Sequence, residues 1–308
     1  MAPPTTTTTK TTVTFLTTGT VRIKQTMYTQ PATRSVLLRR LNNFLSNTWT
    51  HPLPIGVFLI HHPSGPFLFD TGESPCCNDP GYFPAWNIPT RTWTQTDITP
   101  ADGIVSQLRK HGVEPRELKG VVLSHLHRDH AGGLEELARV APDVPVYVSE
   151  EHWKAFGMYP FHASLEGCAP EHWPEGFAPR LLEVKEHRVG PWERSCPLTE
   201  DGKVVVVDTP GHVPGHVSVV VRGDNEDGST TTYFLTGDAT YGIELLEGEQ
   251  IDGVNDDPLR ALASVRLIKE FARQEDVVVL PSHDVDTPRL LAEKVLYKPK
   301  NREGEPKM

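Results

Sequence analysis

Apolar positions along the chain fall into two batches of short, dense runs, each accompanied by longer segments of helical period. In the first batch Thr12 to Thr17, Pro54 to Ile60 and Pro66 to Asp70 read as strands, the last two joined at His62-Pro63-Ser64-Gly65. Asp102 is placed to cap a helix that runs through Leu108 to His111 and ends at Gly112. Lys119 to Ser124 and Val144 to Val148 then read as short buried strands, with a helix over Gly133 to Arg139 between them. The second batch holds Val204 to Val207, Val217 to Val221, Thr231 to Leu235 and Val277 to Leu280, with Asp224 to Gly228 as a polar hairpin turn. Helical spacing marks Ser35 to Phe44, Pro258 to Arg273 and Thr287 to Leu296. No Gly/Ser-rich linker separates the batches, so the pattern predicts an α/β domain of two packed sheets with helices outside them, in place of one doubly wound sheet.

Three segments break this rhythm. Residues 1–11 are a Thr and Pro run too poor in apolar surface to offset its ordering entropy, and are expected to form a disordered tail. Residues 298–308 are expected to form a second, mobile tail, which leaves 12–297 as the folded domain. About residues 156–196, Tyr159, Phe161, Trp173, Phe177 and Trp192 stand among several prolines, a pattern that predicts an irregular cap inserted into the domain.

Composition narrows the partners. Thirty Lys and Arg against forty Asp and Glu give a net charge of −10 with no basic cluster, which disfavours nucleic acid and anionic lipid. No apolar run reaches the ~18–20 residues of a membrane span and no signal-peptide core follows Met1, so a soluble cytoplasmic protein without membrane contact is expected. Cys76, Cys77, Cys168 and Cys196 match neither a disulfide framework nor zinc spacing, and read as reduced thiols.

The chain holds fourteen His, and their placement carries the chemistry. Ser124-His125-Leu126-His127-Arg128-Asp129-His130 packs three imidazoles and a carboxylate directly after a buried strand. Imidazole and carboxylate suit Zn²⁺ and similar first-row metals, and one ion takes only three or four protein ligands. Further candidates follow other strands: His212 in Thr209-Pro210-Gly211-His212, Asp238 after Gly237, and His283 in Pro281-Ser282-His283-Asp284. Ligand types recurring at strand ends, where loops converge on one rim, point to two ions.

This set resembles the metallo-β-lactamase superfamily, whose HxHxDH motif matches His125, His127, Asp129 and His130, with the resemblance running from about Val13 to Leu296. It implies a four-layer αβ/βα sandwich. It also implies that His125, His127 and His212 hold one metal, that Asp129, His130 and His283 hold the second, and that Asp238 bridges both. Within the superfamily the sequence is similar to the N-acyl homoserine lactonases, which carry a Tyr three positions after the bridging Asp, here Tyr241, and an Asp-Thr-Gly, here Asp70-Thr71-Gly72, whose Asp is structural or supports the ligands. The chain departs from many lactonases at Arg128, where they place an apolar or aromatic residue lining the acyl-chain pocket, and in the 156–196 insertion.

The expected function is therefore a dinuclear, Zn²⁺-dependent hydrolase that opens a small lactone or lactam by attack of a metal-bridging hydroxide on the ring carbonyl. Tyr241 would stabilise the oxyanion, and Asp129 would pass a proton to the leaving group. Competing readings are a thioesterase of glyoxalase II type, a phosphodiesterase or ribonuclease of the same fold, and a non-catalytic scaffold. His216 is expected to support a ligand, Asp284 and Asp286 to support His283 or to be solvated, and His152, His162, His172 and His187 to lie on the surface. Phe44, Leu45 and Trp49 are expected in a pocket wall or a satellite core, and the oligomeric state is left open, a homodimer being one common arrangement among lactonase-like enzymes.

Overall fold

The computed structural model describes residues 9–87 and 92–300. Two sheets stack face to face. The first, in the order β4-β1-β2-β3-β5-β6-β7, combines β1 (Thr12–Ile23), β2 (Leu53–His61), β3 (Phe67–Phe69), β4 (Thr94–Asp97), β5 (Gly120–Val122), β6 (Val146–Val148) and β7 (Arg180–Leu181). The second, in the order β12-β11-β10-β9-β8, combines β8 (Cys196–Pro197), β9 (Val204–Asp208), β10 (Val217–Asp224), β11 (Thr230–Leu235) and β12 (Val277–Leu280).

Strand alternation builds the layers. Along β2, Phe58 and Ile60 point into the inter-sheet core, where they meet Val204, Val206, Val219 and Leu235. Val57 and Leu59 point the other way, onto Ile104, Leu108, Leu134 and Leu137 of the outer helices Ile104–Lys110 and Leu134–Val140. In the second sheet Val205, Val207 and Val220 turn outward onto Val265, Ile268 and Phe271 of the helix Pro258–Gln274. Strands apolar on both faces belong in a sheet covered on both sides, and each fully buried Val, Leu, Ile or Phe contributes about 1.5–3 kcal/mol. The result is the four-layer αβ/βα sandwich, helices on sheet on sheet on helices. The ends of β3, β5, β9, β11 and β12 carry Asp70, the His125–His130 loop, His212, Asp238 and His283 respectively, all on one rim.

The differences from the sequence-based expectation have local causes. β1 runs to Ile23, beyond Thr17, and the polar edge strand β4 pairs with it. Thr11, placed in the tail by its composition, is buried, its N–H donating to Asp224 Oδ2 at 2.8 Å. At the other end Lys300 N–H donates to Glu247 Oε1 at 3.1 Å; residues 1–8 and 301–308 of the two tails lie outside those described. Over the 156–196 insertion the chain contributes a helix (Pro160–Leu165) and the edge strands β7 and β8, one to each sheet. Asp102 caps by a different route, accepting from Thr99 N–H at 2.8 Å around a 3₁₀ turn before the helix.

The helix Val36–Leu45 forms where helical spacing places it but with its faces reversed. Arg39 and Asn43 are buried, while Leu37, Leu38, Leu41, Phe44 and Leu45 are exposed, so Phe44 and Leu45 make neither pocket wall nor core. Trp49 is half-buried beneath the Lys24 ammonium, 3.9 Å from the ring centre.

Candidate metal centre

Three imidazole nitrogens meet at one point. His125 Nε2 lies 2.8 Å from His127 Nδ1, which lies 3.1 Å from His212 Nε2. The residue following Asp208 at the end of β9 starts the loop that brings His212 in, and the loop can press against the helix Pro258–Gln274 only because Gly211 has φ +134°; a Cβ there would sit 2.1 Å from Ala261 N. Beside this group Asp129, His130 and His283 form a second, with His130 Nε2 3.3 Å from His283 Nε2.

Asp238 stands between the two groups. Its Oδ1 faces the second, 3.1 Å from His130 Nε2 and 3.2 Å from His283 Nε2. Its Oδ2 faces the first, 3.4 Å from His212 Nε2 and 3.8 Å from His125 Nε2. The Asp238 backbone N–H donates to His216 Nε2 at 2.9 Å, while His216 Nδ1 meets the Thr209 hydroxyl at 2.9 Å. Both nitrogens of His216 are thus engaged, and it orients Asp238 from outside the cluster.

The outward nitrogens fix which face of each ring is bare. His283 Nδ1 lies 2.8 Å from the Pro54 carbonyl, a pure acceptor, so it must donate there. His130 Nδ1 donates to Asp70 Oδ2 at 2.8 Å, and His212 Nδ1 to Asp252 Oδ2 at 3.1 Å. In its neutral form each ring held this way turns the lone pair of Nε2 inward, the arrangement that carboxylate and carbonyl partners impose on metal-binding His. Asp238 Oδ1 is buried without a hydrogen bond, facing two such lone pairs. Lone pairs converging on a buried carboxylate oxygen repel unless a cation lies among them, so the donor set fits one: three nitrogens and an oxygen on one side, two nitrogens and two carboxylates on the other.

The electrostatics agree with a cation-seeking cluster. Burial, with His130 and His127 as neighbours, pushes His125 well below the ordinary imidazole range, and burial with His212 brings His127 down to about 3. Burial works against charge on His130, His283 and His212 too, yet Asp238, Asp70 and Asp129 raise His130 well above that range, Asp238 and Asp129 raise His283, and Asp252 and Asp238 raise His212 to about 9, so that without a metal these rings hold protons where a cation would sit. Asp238 is held well below the usual carboxylate range, its burial outweighed by His130 and His283. Burial and then Asp238, Asp252 and Asp129 push the Tyr241 phenol well up, so it stays a proton donor at neutral pH.

A cavity of about 390 Å³ opens over the cluster. His127, Asp129, Asp238 and Tyr241 form its floor, and Val21, Ile23, Met27, Trp93, Val213 and Leu165 give it apolar walls. Arg128 lies in the wall too, buried and not a free cation: its Nε pairs with the buried Glu73 at 2.8 Å, its Nη2 donates to Thr94 Oγ1 at 3.2 Å, and its guanidinium covers the Phe83 ring at 4.5 Å. At the mouth Arg40 pairs with Glu166 at 2.8 Å and Asp256 at 3.4 Å.

All seven candidate ligands and Tyr241 are thus brought together. His152, expected on the surface, is instead fully buried: it accepts from Leu126 N–H at 2.9 Å and donates to the Pro214 carbonyl at 2.8 Å, tying the two His-bearing loops together. His172 stacks on Tyr82 and His187 meets Ser195, while Asp284 accepts from Ile243 N–H at 2.9 Å. Asp252 and Arg39 escaped the sequence reading. Arg39 donates to the Asp252 carbonyl and, at 2.9 Å, to Asn255 Oδ1, and so secures the loop whose carboxylate holds His212. Neither belongs to a motif, and only the fold brings them to the ligand.

Comparison with known proteins accords with this site. The family model described as Metallo-beta-lactamase superfamily matches residues 52–283. An N-acyl homoserine lactonase of a Bacillus species is 28% identical over 269 residues, covering 85% of this chain and 94% of that protein. The N-acyl homoserine lactonase AiiA of Bacillus thuringiensis subsp. kurstaki is 29% identical, covering 84% and 93%. Among solved structures, an N-acyl homoserine lactone hydrolase with N-hexanoyl-L-homoserine at its catalytic metal center superposes with a TM-score of 0.66 at 23% identity, over 91% of this chain and 95% of that one. The dizinc lactonase AidC does so with 0.58 at 17%, over 89% and 87%. This chain belongs to the metallo-β-lactamase superfamily and is similar to its N-acyl homoserine lactonases.

Proposed function

We propose that this protein is a dinuclear metal-dependent hydrolase that opens a small cyclic ester or amide. His125, His127 and His212 would hold one ion, Asp129, His130 and His283 the other, with Asp238 shared between them; the nitrogen-rich donor set favours Zn²⁺. Divalent ions in such a site supply Lewis acidity and a hydroxide nucleophile at neutral pH.

The chain's own groups do the rest. The apolar walls orient a ring in a space of about 390 Å³, within the ~300–1,000 Å³ usual for small-molecule sites. Tyr241, protonated and at the cavity floor, donates to the carbonyl oxygen as charge develops on it, so its hydrogen bond is strongest where the barrier is highest. Asp129, with a quarter of its side chain exposed towards the cavity, can take up a proton and return it to the leaving oxygen or nitrogen. The observation that carries this reading is the division of Asp238, one oxygen towards each histidine group.

The test is a pH-stat screen of lactones, lactams, cyclic carbamates and thioesters with the metal-reconstituted protein. Proton release with a ring-opened product supports the reading. Turnover confined to acyclic thioesters would assign the site to the glyoxalase II type instead.

A further inference from the structure

The cavity over the proposed metal centre has a neighbour. Beyond Arg128 lies a surface groove of about 720 Å³, edged by Cys77, Asn78 and Phe83. Thr94, Thr96 and Arg128 line both hollows, so a partition one residue thick separates them. The partition is polar where the rest of the cavity wall is largely apolar. Thr94 and Thr96 stand two positions apart on one face of the edge strand β4, and the Arg128 guanidinium is hooked to the first of them, Nη2 donating to Thr94 Oγ1 at 3.2 Å.

This wall does not swing aside freely. Arg128 is fixed at both ends: its backbone N–H donates to the Gly167 carbonyl at 3.1 Å, and its Nε meets Glu73 Oε2 at 2.8 Å. Glu73 is fixed in turn, its Oε1 accepting from Ser74 N–H at 2.9 Å and its own N–H donating to Thr18 Oγ1 at 3.1 Å. Drawing the guanidinium away would leave a buried carboxylate without its counter-charge, a strongly unfavourable state. The mouth of the cavity is charged as well. Arg40 pairs there with Glu166 and Asp256, and an alkyl chain laid over these groups would strip them of water.

We propose that the Arg128–Glu73 pair sets the length of substituent the site admits, confining it to lactones and lactams whose ring carries a short substituent or none. The inference rests on the ring-opening reading above and names the substrate class for it. A ring seated on the cavity floor has about 390 Å³ for itself and its substituent, near the lower end of the ~300–1,000 Å³ of small-molecule sites. A short substituent stays within the apolar walls. A long alkyl chain meets Arg128 and Thr94 before it reaches the groove, and must either lie against polar groups or break the buried pair. Without the pair the partition loses its charge and its longest side chain, and the groove becomes continuous with the cavity.

The test uses the metal-loaded full chain and a series of acetyl, hexanoyl and decanoyl homoserine lactones for kcat/KM, with the corresponding ring-opened hydroxy acids for Kd by titration calorimetry. In the parent, Kd for the decanoyl compound should be weaker than for the acetyl compound by about 10-fold or more, the scale on which a pocket accepts or refuses a methylene, and kcat/KM should fall in parallel. In Arg128→Leu combined with Glu73→Gln, which removes both charges together, the decanoyl-to-acetyl ratio should shift by about 10-fold or more in favour of the long chain. Far-UV circular dichroism checks that the double variant is folded, and the parent series is decisive by itself: decanoyl binding as tight as acetyl overturns the proposal. A ratio that is the same in parent and double variant also overturns it. A parent that prefers the acetyl compound in Kd but opens no ring supports the partition and overturns the ring-opening reading, so the two failures are distinct.

Discussion

Asp70 Oδ2 accepts a hydrogen bond from His130 Nδ1 at 2.8 Å, while the same carboxylate holds the Ser124 N–H at 2.7 Å and the Ser124 hydroxyl at 2.9 Å. One buried side chain therefore sets the ring of a proposed ligand and the start of the loop that bears three others. Its backbone has φ 65°, a left-handed conformation that Asp tolerates better than most residues. Asp70→Ala should weaken metal binding by roughly 10–100-fold with the seven candidate ligands still in place. Competition with a chelating dye measures this, and parent-like affinity would remove Asp70 from the support of the site.

Tyr241→Phe should retain the full complement of metal and lower kcat by on the order of 10²-fold, the scale for losing one oxyanion donor. Single-turnover kinetics across several ring substrates is the appropriate measurement. An unchanged chemical step would leave Tyr241 as packing against His212 and His283, whose rings lie 6.0 and 5.2 Å away.

Asp238→Ala removes the carboxylate shared by both groups, and His212→Ala removes one of the three nitrogens of the first. Both variants should lose bound metal and turnover together. Metal analysis with parent stoichiometry in either variant would contradict the assignment.

Arg128 and Glu73 form a buried ion pair, with side chains 9% and 1% exposed. Arg128→Ala leaves the carboxylate without its partner and should cost about 3–5 kcal/mol, whereas Arg128→Leu combined with Glu73→Gln should recover most of that loss. Denaturant unfolding of the single and double variants checks it; equal stability of the two would make the pair unimportant to the fold.

The site was largely legible in the sequence because four of its candidate ligands sit within six residues and the others each follow a segment that reads as a strand. Asp70 was legible only through the family resemblance, as the Asp of Asp70-Thr71-Gly72. Asp252, Arg39 and His152 were not, since each acts through a partner distant in the chain: His212 for Asp252, Asn255 for Arg39, Leu126 and Pro214 for His152. Periodicity placed the helix Val36–Leu45 but not its orientation. Spacing records that apolar residues share a side, and which side faces inward was decided by the buried bonds of Arg39 and Asn43. Strand β4 escaped because Thr94-Gln95-Thr96-Asp97 is a polar edge, its pairing determined by β1 and not by its own composition.

The proposed ring opening requires two ions in one shared-carboxylate site. Titrating Zn²⁺ into the metal-stripped protein while following lactone or lactam hydrolysis tests it most directly. Activity should rise to a plateau at two equivalents per chain, whereas a plateau at one equivalent, or no ring opening at any loading, would contradict it.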